Sequence, residues 1–253
     1  MEWRRTRKAM HRYGEPDFDA GYMKWGLTDP KTQIEEAESI LRLIHGAGPQ
    51  NILDLACGVG THAIHWARQG HVVHGVDLSE TFISKANENA RNVQGVSFSV
   101  GDIRSLDLPG DFSLITWIEM SFIDASVLQR VHQWLAPGGF FICDVRNPDH
   151  PKVKSRALPW RTWRENDGVF VLERHEINPT TGQQEDAWVT VDPARHLIQE
   201  RLNVSEPGLK TDPSKTIQAL KLAGFASCEL RTMSGVAFHD GPETYWLWLL
   251  ARK

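Results

Sequence analysis

Short apolar runs alternate along most of this chain with stretches whose apolar residues recur at helical spacing. Over residues 31–45, Ile34, Ala37, Leu41 and Ile44 fall among charged positions at that spacing, which predicts a helix ending near Gly46. From there the pattern reads strand, helix, strand, helix. Apolar runs near 51–55, 72–76, 96–100, 113–118 and 139–144 predict strands, and segments such as 61–69, 81–90 and 125–135 predict the helices between them. Alternation of this kind implies an α/β fold with a mostly parallel sheet covered on both faces. Pro137-Gly138-Gly139 reads as a sharp turn before the fifth strand.

After Asp144 the rhythm changes. Alternating segments at 161–164, 170–177, 187–191 and 196–203 are separated by Asp167-Gly168, Pro179-Thr180-Thr181-Gly182 and Asp192-Pro193, which predicts antiparallel hairpins. A helix near 213–223 and strands at 225–232 and 245–251 then resume the earlier pattern. The expected organisation is an N-terminal helical cover over 1–45, an α/β domain built from 46–145 and 211–253, and an antiparallel insertion over 146–210. The insertion follows the fifth strand near its carboxyl end, where ligands bind in open α/β sheets, and reads as a substrate lid.

A length of 253 residues suits one large α/β domain or a domain with an insertion. The net charge of −4 supplies no basic field for nucleic acid or an anionic membrane. The longest apolar run, 246–251, is too short to span a bilayer. Three widely spaced cysteines (Cys57, Cys143, Cys228) read as reduced thiols, and no apolar segment follows the basic N-terminus, so a cytoplasmic location is expected.

Candidate chemistry concentrates in Asn51-Ile-Leu-Asp54-Leu-Ala56-Cys-Gly58-Val-Gly60-Thr61. A strand runs into an acid, and glycines then open a helix whose free N–H groups favour a negative charge nearby. The second strand ends in Asp77, placed to accept both hydrogen bonds of a ribose diol. The third strand ends in Gly101-Asp102, where a carboxylate can accept from an adenine amino group. Gly58-Val59-Gly60-Thr61-His62-Ala63 also satisfies the dinucleotide fingerprint, which is weak when alone.

Asp54-Leu-Ala-Cys-Gly58-Val-Gly60, Gly75-Val-Asp77-Leu78-Ser79, Gly101-Asp102-Ile103 and Leu135-Ala-Pro-Gly-Gly139 stand in one order and spacing. In this the chain resembles the class I S-adenosylmethionine-dependent methyltransferases over about residues 30–145, the Gly224-Phe225 turn and the last strand. The resemblance implies a Rossmann-like, seven-stranded, mostly parallel sheet with S-adenosylmethionine as cofactor and S-adenosylhomocysteine as product. It places Ala56, Gly58 and Gly60 along the methionine part, Asp77 on the ribose, and Leu78, Asp102 and Ile103 at the adenine. Trp117-Ile118 would close the pocket. The Asp-Leu-Ala-Cys-Gly variant and the late insertion look most like small-molecule methyltransferases such as the amino-sugar N-methyltransferases of antibiotic pathways. The expected partner is accordingly a small-molecule acceptor methylated on nitrogen or oxygen.

Methyl transfer from a sulfonium leaves a neutral thioether, so the protein mainly aligns the acceptor and excludes water. A base is needed where the acceptor loses a proton, and Glu119 and His239 are the candidates. His62 and His65 read as helix-face residues, with His62 near the methionine carboxylate; no third ligand supports zinc. In such proteins an aromatic N-terminal segment commonly folds over the cofactor, which makes Tyr22 and Trp25 walls of the cofactor or acceptor site and gives Arg12 a carboxylate to pair with. Trp160, Trp163 and Trp188 form either the core of the insertion or an aromatic acceptor pocket, and Arg146 either faces the substrate or lies in a solvated turn. Homodimerisation through the inserted strands stays open. Other readings are a protein or nucleic-acid methyltransferase and an NAD(P)-dependent oxidoreductase. The acidic charge disfavours the nucleic-acid reading, and the lack of a Tyr-x-x-x-Lys pair disfavours the oxidoreductase.

Overall fold

A computed structural model describes residues 3–9, 19, 23, 29–44, 48, 50–119, 125–151, 157–166, 168–177, 184–205 and 212–253. The chain divides into two compact units, one of residues 1–27 and 151–207 and the other of residues 28–150 and 208–253.

The larger unit holds a seven-stranded sheet. Its strands are β2 (Asn51–Leu55), β3 (Val72–Asp77), β4 (Val96–Val100), β5 (Phe112–Trp117), β6 (Leu135–Arg146), β11 (Ser227–Thr232) and β12 (Trp246–Arg252), in the order β11-β12-β6-β5-β2-β3-β4. Strands β2 to β6 pair in parallel, while β12 runs antiparallel to both β6 and β11. The central strands are apolar runs because both faces are covered. On one face, Val127, Leu128, Val131 and Trp134 of α4 (Ala125–Trp134) and Leu220 of α5 (Pro213–Leu222) pack on Leu53, Ile115 and Phe141. On the other, Ala37 and Ile40 of α1 (Pro30–Leu43) and Ala63, Trp66 and Ala67 of α2 (Thr61–Arg68) pack on Ile52, Leu114 and Ile142.

Local chemistry starts these helices where the sheet needs them. Asp29 caps α1 by accepting from Lys31 N at 3.0 Å, with Pro30 at the first helical position. Ser79, fully buried, caps α3 (Glu80–Asn89) by accepting from Phe82 N at 3.0 Å. Inside the α1 layer, Trp66 Nε1 donates to Ala37 O at 3.0 Å and Trp248 Nε1 to Ser39 Oγ at 3.0 Å, so both indoles satisfy their buried N–H.

Two expectations change. Pro137-Gly138-Gly139 is not a turn before a strand but an irregularity within β6. Phe112 pairs with Leu135 and Leu114 with Phe140, so extra residues bulge out, with Gly138 at φ 76°. Nor is the N-terminal region wholly a helical cover. Arg4–Ala9 form β1, which pairs in parallel with β10 (Leu197–Ser205). Its charged sequence lacks the apolar alternation of a strand, and it pairs with a partner distant along the chain.

The smaller unit is a five-stranded sheet of order β1-β10-β9-β8-β7, with β7 (Ala157–Asn166), β8 (Val169–Ile177) and β9 (Gln184–Asp192). Apart from β1 its pairings are antiparallel, as the hairpin pattern predicts. Val171, Ala187 and Trp188 are buried there, and Trp188 Nε1 donates to Glu173 Oε1 at 3.0 Å.

Candidate functional site

The chain builds outward from β2 to β3 and β4, then returns to place β5 and β6 on the other side. Sheet growth therefore reverses between β2 and β5, and a crevice for ligands opens outside the carboxyl ends of strands at such a point. Beyond Leu55 the chain turns with Ala56 at φ 56°, Gly58 at 55° and Gly60 at 80°, three left-handed residues within five. Ala56 holds that conformation without being glycine, which costs about 1 kcal/mol. Asp77 splints the turn: its Oδ2 accepts from Gly58 N at 2.9 Å and its Oδ1 from Ser79 N at 2.9 Å. Cys57 N donates to Val76 O at 3.0 Å and completes the frame.

The glycines here serve different ends. A Cβ on Gly60 would come within 2.6 Å of Phe98 Cζ, and one on Gly75 within 2.6 Å of Phe98 Cδ1, so these two let elements close on each other. A Cβ on Gly58 would meet nothing within 4 Å. The space over that residue is open.

Below the turn lies a buried polar group. Asp54, 2% exposed, accepts from Thr116 Oγ1 of β5 at 2.8 Å, while its Oδ2 has no hydrogen-bond partner among the described residues. Burial pushes the Asp54 carboxyl up to about 6; His62 and the Thr116 bond hold it down in part, and Asp77 and Glu119 add to the rise. Burial alone would push the His62 imidazole down. The hydrogen bond to Glu36 Oε2 at 3.2 Å and the charges of Asp54, Glu119 and Glu36 outweigh it, so the imidazole titrates above its ordinary range. The Cys57 thiol is pushed up by burial and by Asp54 and Asp77, so it stays protonated and is no nucleophile.

Glu119 lies just beyond β5 with φ 59°, a left-handed conformation that its backbone N–H secures by donating to Asp144 Oδ1 at 3.0 Å. Its Oε2 accepts from Gln33 Nε2 of α1 at 2.7 Å, and the residue is otherwise exposed. Gln33 and Glu36, one helical turn apart, thus reach Glu119 and His62 respectively.

Of the residues singled out in the sequence, Ala56, Gly58, Gly60, Asp77 and Glu119 meet at this edge. Leu78 is 40% exposed, which leaves apolar surface available beside Asp77. Asp102 is engaged by its neighbour: Arg104 Nε and Nη2 donate to its carboxylate at 2.9 and 2.6 Å. Ile103 packs partly buried against the core. Trp117 and Ile118, expected to close the pocket, are buried at 0% and 6% exposure among core side chains on opposite faces of the sheet. Arg146 ends β6 with its guanidinium 5.7 Å from the Trp246 ring centre. His239 is exposed, in a loop that Asn147 ties to the end of β6 by donating from Nδ2 to Gly241 O and Thr244 O, each at 2.8 Å. Arg12, Tyr22 and Trp25 lie outside the described residues, as do the side chains of Trp160 and Trp163. Sequence reasoning missed Asp54's partnerless oxygen and the contacts of Gln33 and Glu36. The acid before the glycine turn was a signal for the first; nothing in the pattern marks the second.

Residues 52–139 match the methyltransferase domain family. A dTDP-4-amino-2,3,4,6-tetradeoxy-D-glucose N,N-dimethyltransferase of Saccharopolyspora spinosa is 31% identical over 118 residues, 43% of this chain and 46% of that protein. The 18S rRNA (guanine-N(7))-methyltransferase bud23 of Schizosaccharomyces pombe is 37% identical over 73 residues, 29% of this chain and 27% of that protein. The chain thus spans less than half the length of either. Among solved structures, the CcbJ methyltransferase from Streptomyces caelestis superposes with a TM-score of 0.71 at 19% identity, covering 92% of this chain and 95% of that one. Over residues 52–139 this chain thus resembles a methyltransferase domain, and its seven-stranded sheet has the fold of the CcbJ methyltransferase.

Proposed function

We propose that this chain transfers a methyl group from S-adenosylmethionine to an amine nitrogen of a small acceptor of the amino-sugar kind. One observation carries the donor assignment: a buried carboxylate oxygen of Asp54 without a partner among the described residues, beside a glycine turn with open space over Gly58. An uncompensated buried carboxylate is costly, and a cationic ligand group relieves it. The donor brings an ammonium and a sulfonium, so the donor set fits. In this reading Asp54 takes the ammonium, the backbone at Ala56, Gly58 and Gly60 lies along the methionine part, Asp77 takes the ribose hydroxyls, and Leu78 packs on the base. Asp102 and Ile103 complete the adenine end, with the Asp102 carboxylate shared between Arg104 and the ligand.

Bound there, S-adenosylmethionine supplies an electrophilic methyl carbon whose leaving group is a neutral thioether. An amine lone pair forms the N–C bond as the C–S bond breaks, with its electron pair passing to sulfur. The nitrogen then sheds a proton, and the Glu119 carboxylate, exposed at the end of β5, accepts it. Amine methylation asks for a proton acceptor only after the N–C bond has formed, whereas an alcohol must lose its proton to become a nucleophile. The amine preference also draws on the Saccharopolyspora spinosa relative, whose similarity extends over 118 residues, whereas that of the rRNA enzyme stops at 73.

The test is transfer of isotope-labelled methyl from the donor to a panel of amino-sugar nucleotides, their hydroxyl analogues, RNA and peptides. Label on the amine nitrogen is the expected result. Label only on RNA or peptide, or no donor binding by calorimetry at millimolar concentration, overturns the reading.

A further inference from the structure

The outward placement of Glu119 does not come from its own strand. Its backbone sits in a left-handed conformation that L side chains rarely adopt, and such a conformation persists where the surroundings over-determine it. Two contacts do so here. Asp144, 5% exposed on β6, fixes the main chain by accepting the Glu119 N–H at 3.0 Å. Gln33, 7% exposed on α1, fixes the side chain by donating to Oε2 at 2.7 Å. Oε1 has no hydrogen-bond partner among the described residues. One carboxylate oxygen is therefore tethered from a separate element, and the other is left to receive a proton.

Gln33 is suited to this task and to little else. A nearly buried amide on a helix needs its polar atoms satisfied, and the Glu119 carboxylate satisfies its N–H. A lysine or arginine at this place would form an ion pair and lower the basicity of the carboxylate. The neutral amide orients the oxygen without neutralising it. Because Gln33 and Glu36 share one face of α1, the same turn that holds Glu119 also holds His62, so α1 sets the geometry of both groups together.

We infer that Gln33 is a positioning residue: from α1 it holds the Glu119 carboxylate so that its second oxygen receives the proton shed by the methylated amine. The inference rests on the proposed amine methylation, and its test separates the two. The first measurement needs no turnover. Amide hydrogen exchange is followed at Glu119 in wild-type protein and in Gln33→Met, which keeps the side chain's length but not its donor. Loss of the tether speeds exchange of the Glu119 amide several-fold, on the order of the two- to tenfold that one net hydrogen bond represents, while amides inside α1 and β5 are unchanged. The second measurement is kinetic. Gln33→Met lowers kcat about tenfold with the KM for the donor unchanged, and Gln33→Met/Glu119→Gln is no slower than Glu119→Gln alone, because the tether acts only through Glu119.

Gln33→Leu, a neutral side chain of similar size and good helix propensity that also lacks the donor, serves as the second variant if the methionine change disturbs α1, and the same results are expected of it. Unchanged exchange at Glu119, or kinetic losses that multiply in the double variant, overturns the inference. Should wild-type protein methylate no amine, the proposed activity falls, and the exchange measurement alone decides whether Gln33 holds Glu119.

Discussion

Asp54 pairs one oxygen with Thr116 and leaves the other without a partner among the described residues, and its proton equilibrium links stability to ligand binding. Its folded pKa of about 6 lies above the ordinary 3.8, so between these values the folded protein binds more protons than the unfolded chain. Stability contributed by this group is therefore full below about pH 4 and is lost as pH rises through 6. His62, also shifted upward, acts in the same direction. Asp54→Asn should thus stabilise the ligand-free protein near pH 8, on the order of 1–3 kcal/mol, seen as a rise in Tm that disappears at pH 4. In the wild type, donor affinity measured by calorimetry should climb as pH rises through 6, as the carboxylate ionises to meet a cation, and Asp54→Asn should flatten that dependence. A flat wild-type profile would count against Asp54 as the ammonium partner. Asp77→Ala should weaken binding of the donor or its demethylated product by at least ~1 kcal/mol, since it removes a charge-assisted acceptor and the splint on Gly58. Asp77 is readable from sequence because it terminates a strand a fixed distance from the glycine turn. The Glu36–His62 pair is not, because its members lie 26 positions apart and meet only when two helices pack.

At the level of elements, the strand–turn–helix at residues 51–68 shows how glycines divide their labour. Gly75 lies inside β3 with no room for a methyl group, 2.6 Å from a Phe98 ring carbon and 2.8 Å from Cys57 Sγ. Gly75→Ala should destabilise by about 1–3 kcal/mol in chemical denaturation, and Phe98→Leu in the same chain should recover part of the loss. Gly58 has space but a positive φ of 55°, so Gly58→Ala should cost only about 1 kcal/mol of stability yet weaken donor binding more strongly by filling the crevice. A variant that lost stability and kept its affinity would place the ligand elsewhere. The period of each helix and strand in the larger unit is visible in the sequence because each buries one stripe or two faces. The bulge in β6 and the extended β1 are not, since backbone pairing, and not side-chain periodicity, creates both.

At the scale of the whole molecule, the described members of both apolar clusters all come from residues 28–150 and 208–253. The larger unit thus packs these clusters from its own described residues. Replacing residues 151–207 by a short flexible linker should leave a cooperative thermal transition and near-native donor affinity while abolishing transfer to the acceptor. Equal loss of both properties would show that the inserted sheet is part of the stabilising frame. No helix among the described residues is long and apolar enough to cross a membrane.

The order of strands and helices, the glycine turn and the acids at the ends of β2, β3 and β4 follow from the amino-acid pattern, because each depends on neighbours a few positions away. Direct reading also reached the resemblance to a methyltransferase domain, which residues 52–139 match and whose motifs are local strand ends and turns. Which carboxylate keeps an empty oxygen, which amide tethers Glu119 and which helix clamps His62 emerged only with packing. These contacts join residues 26 and 86 positions apart, and the relative placement of folded elements sets such distances, which no short window of residues contains.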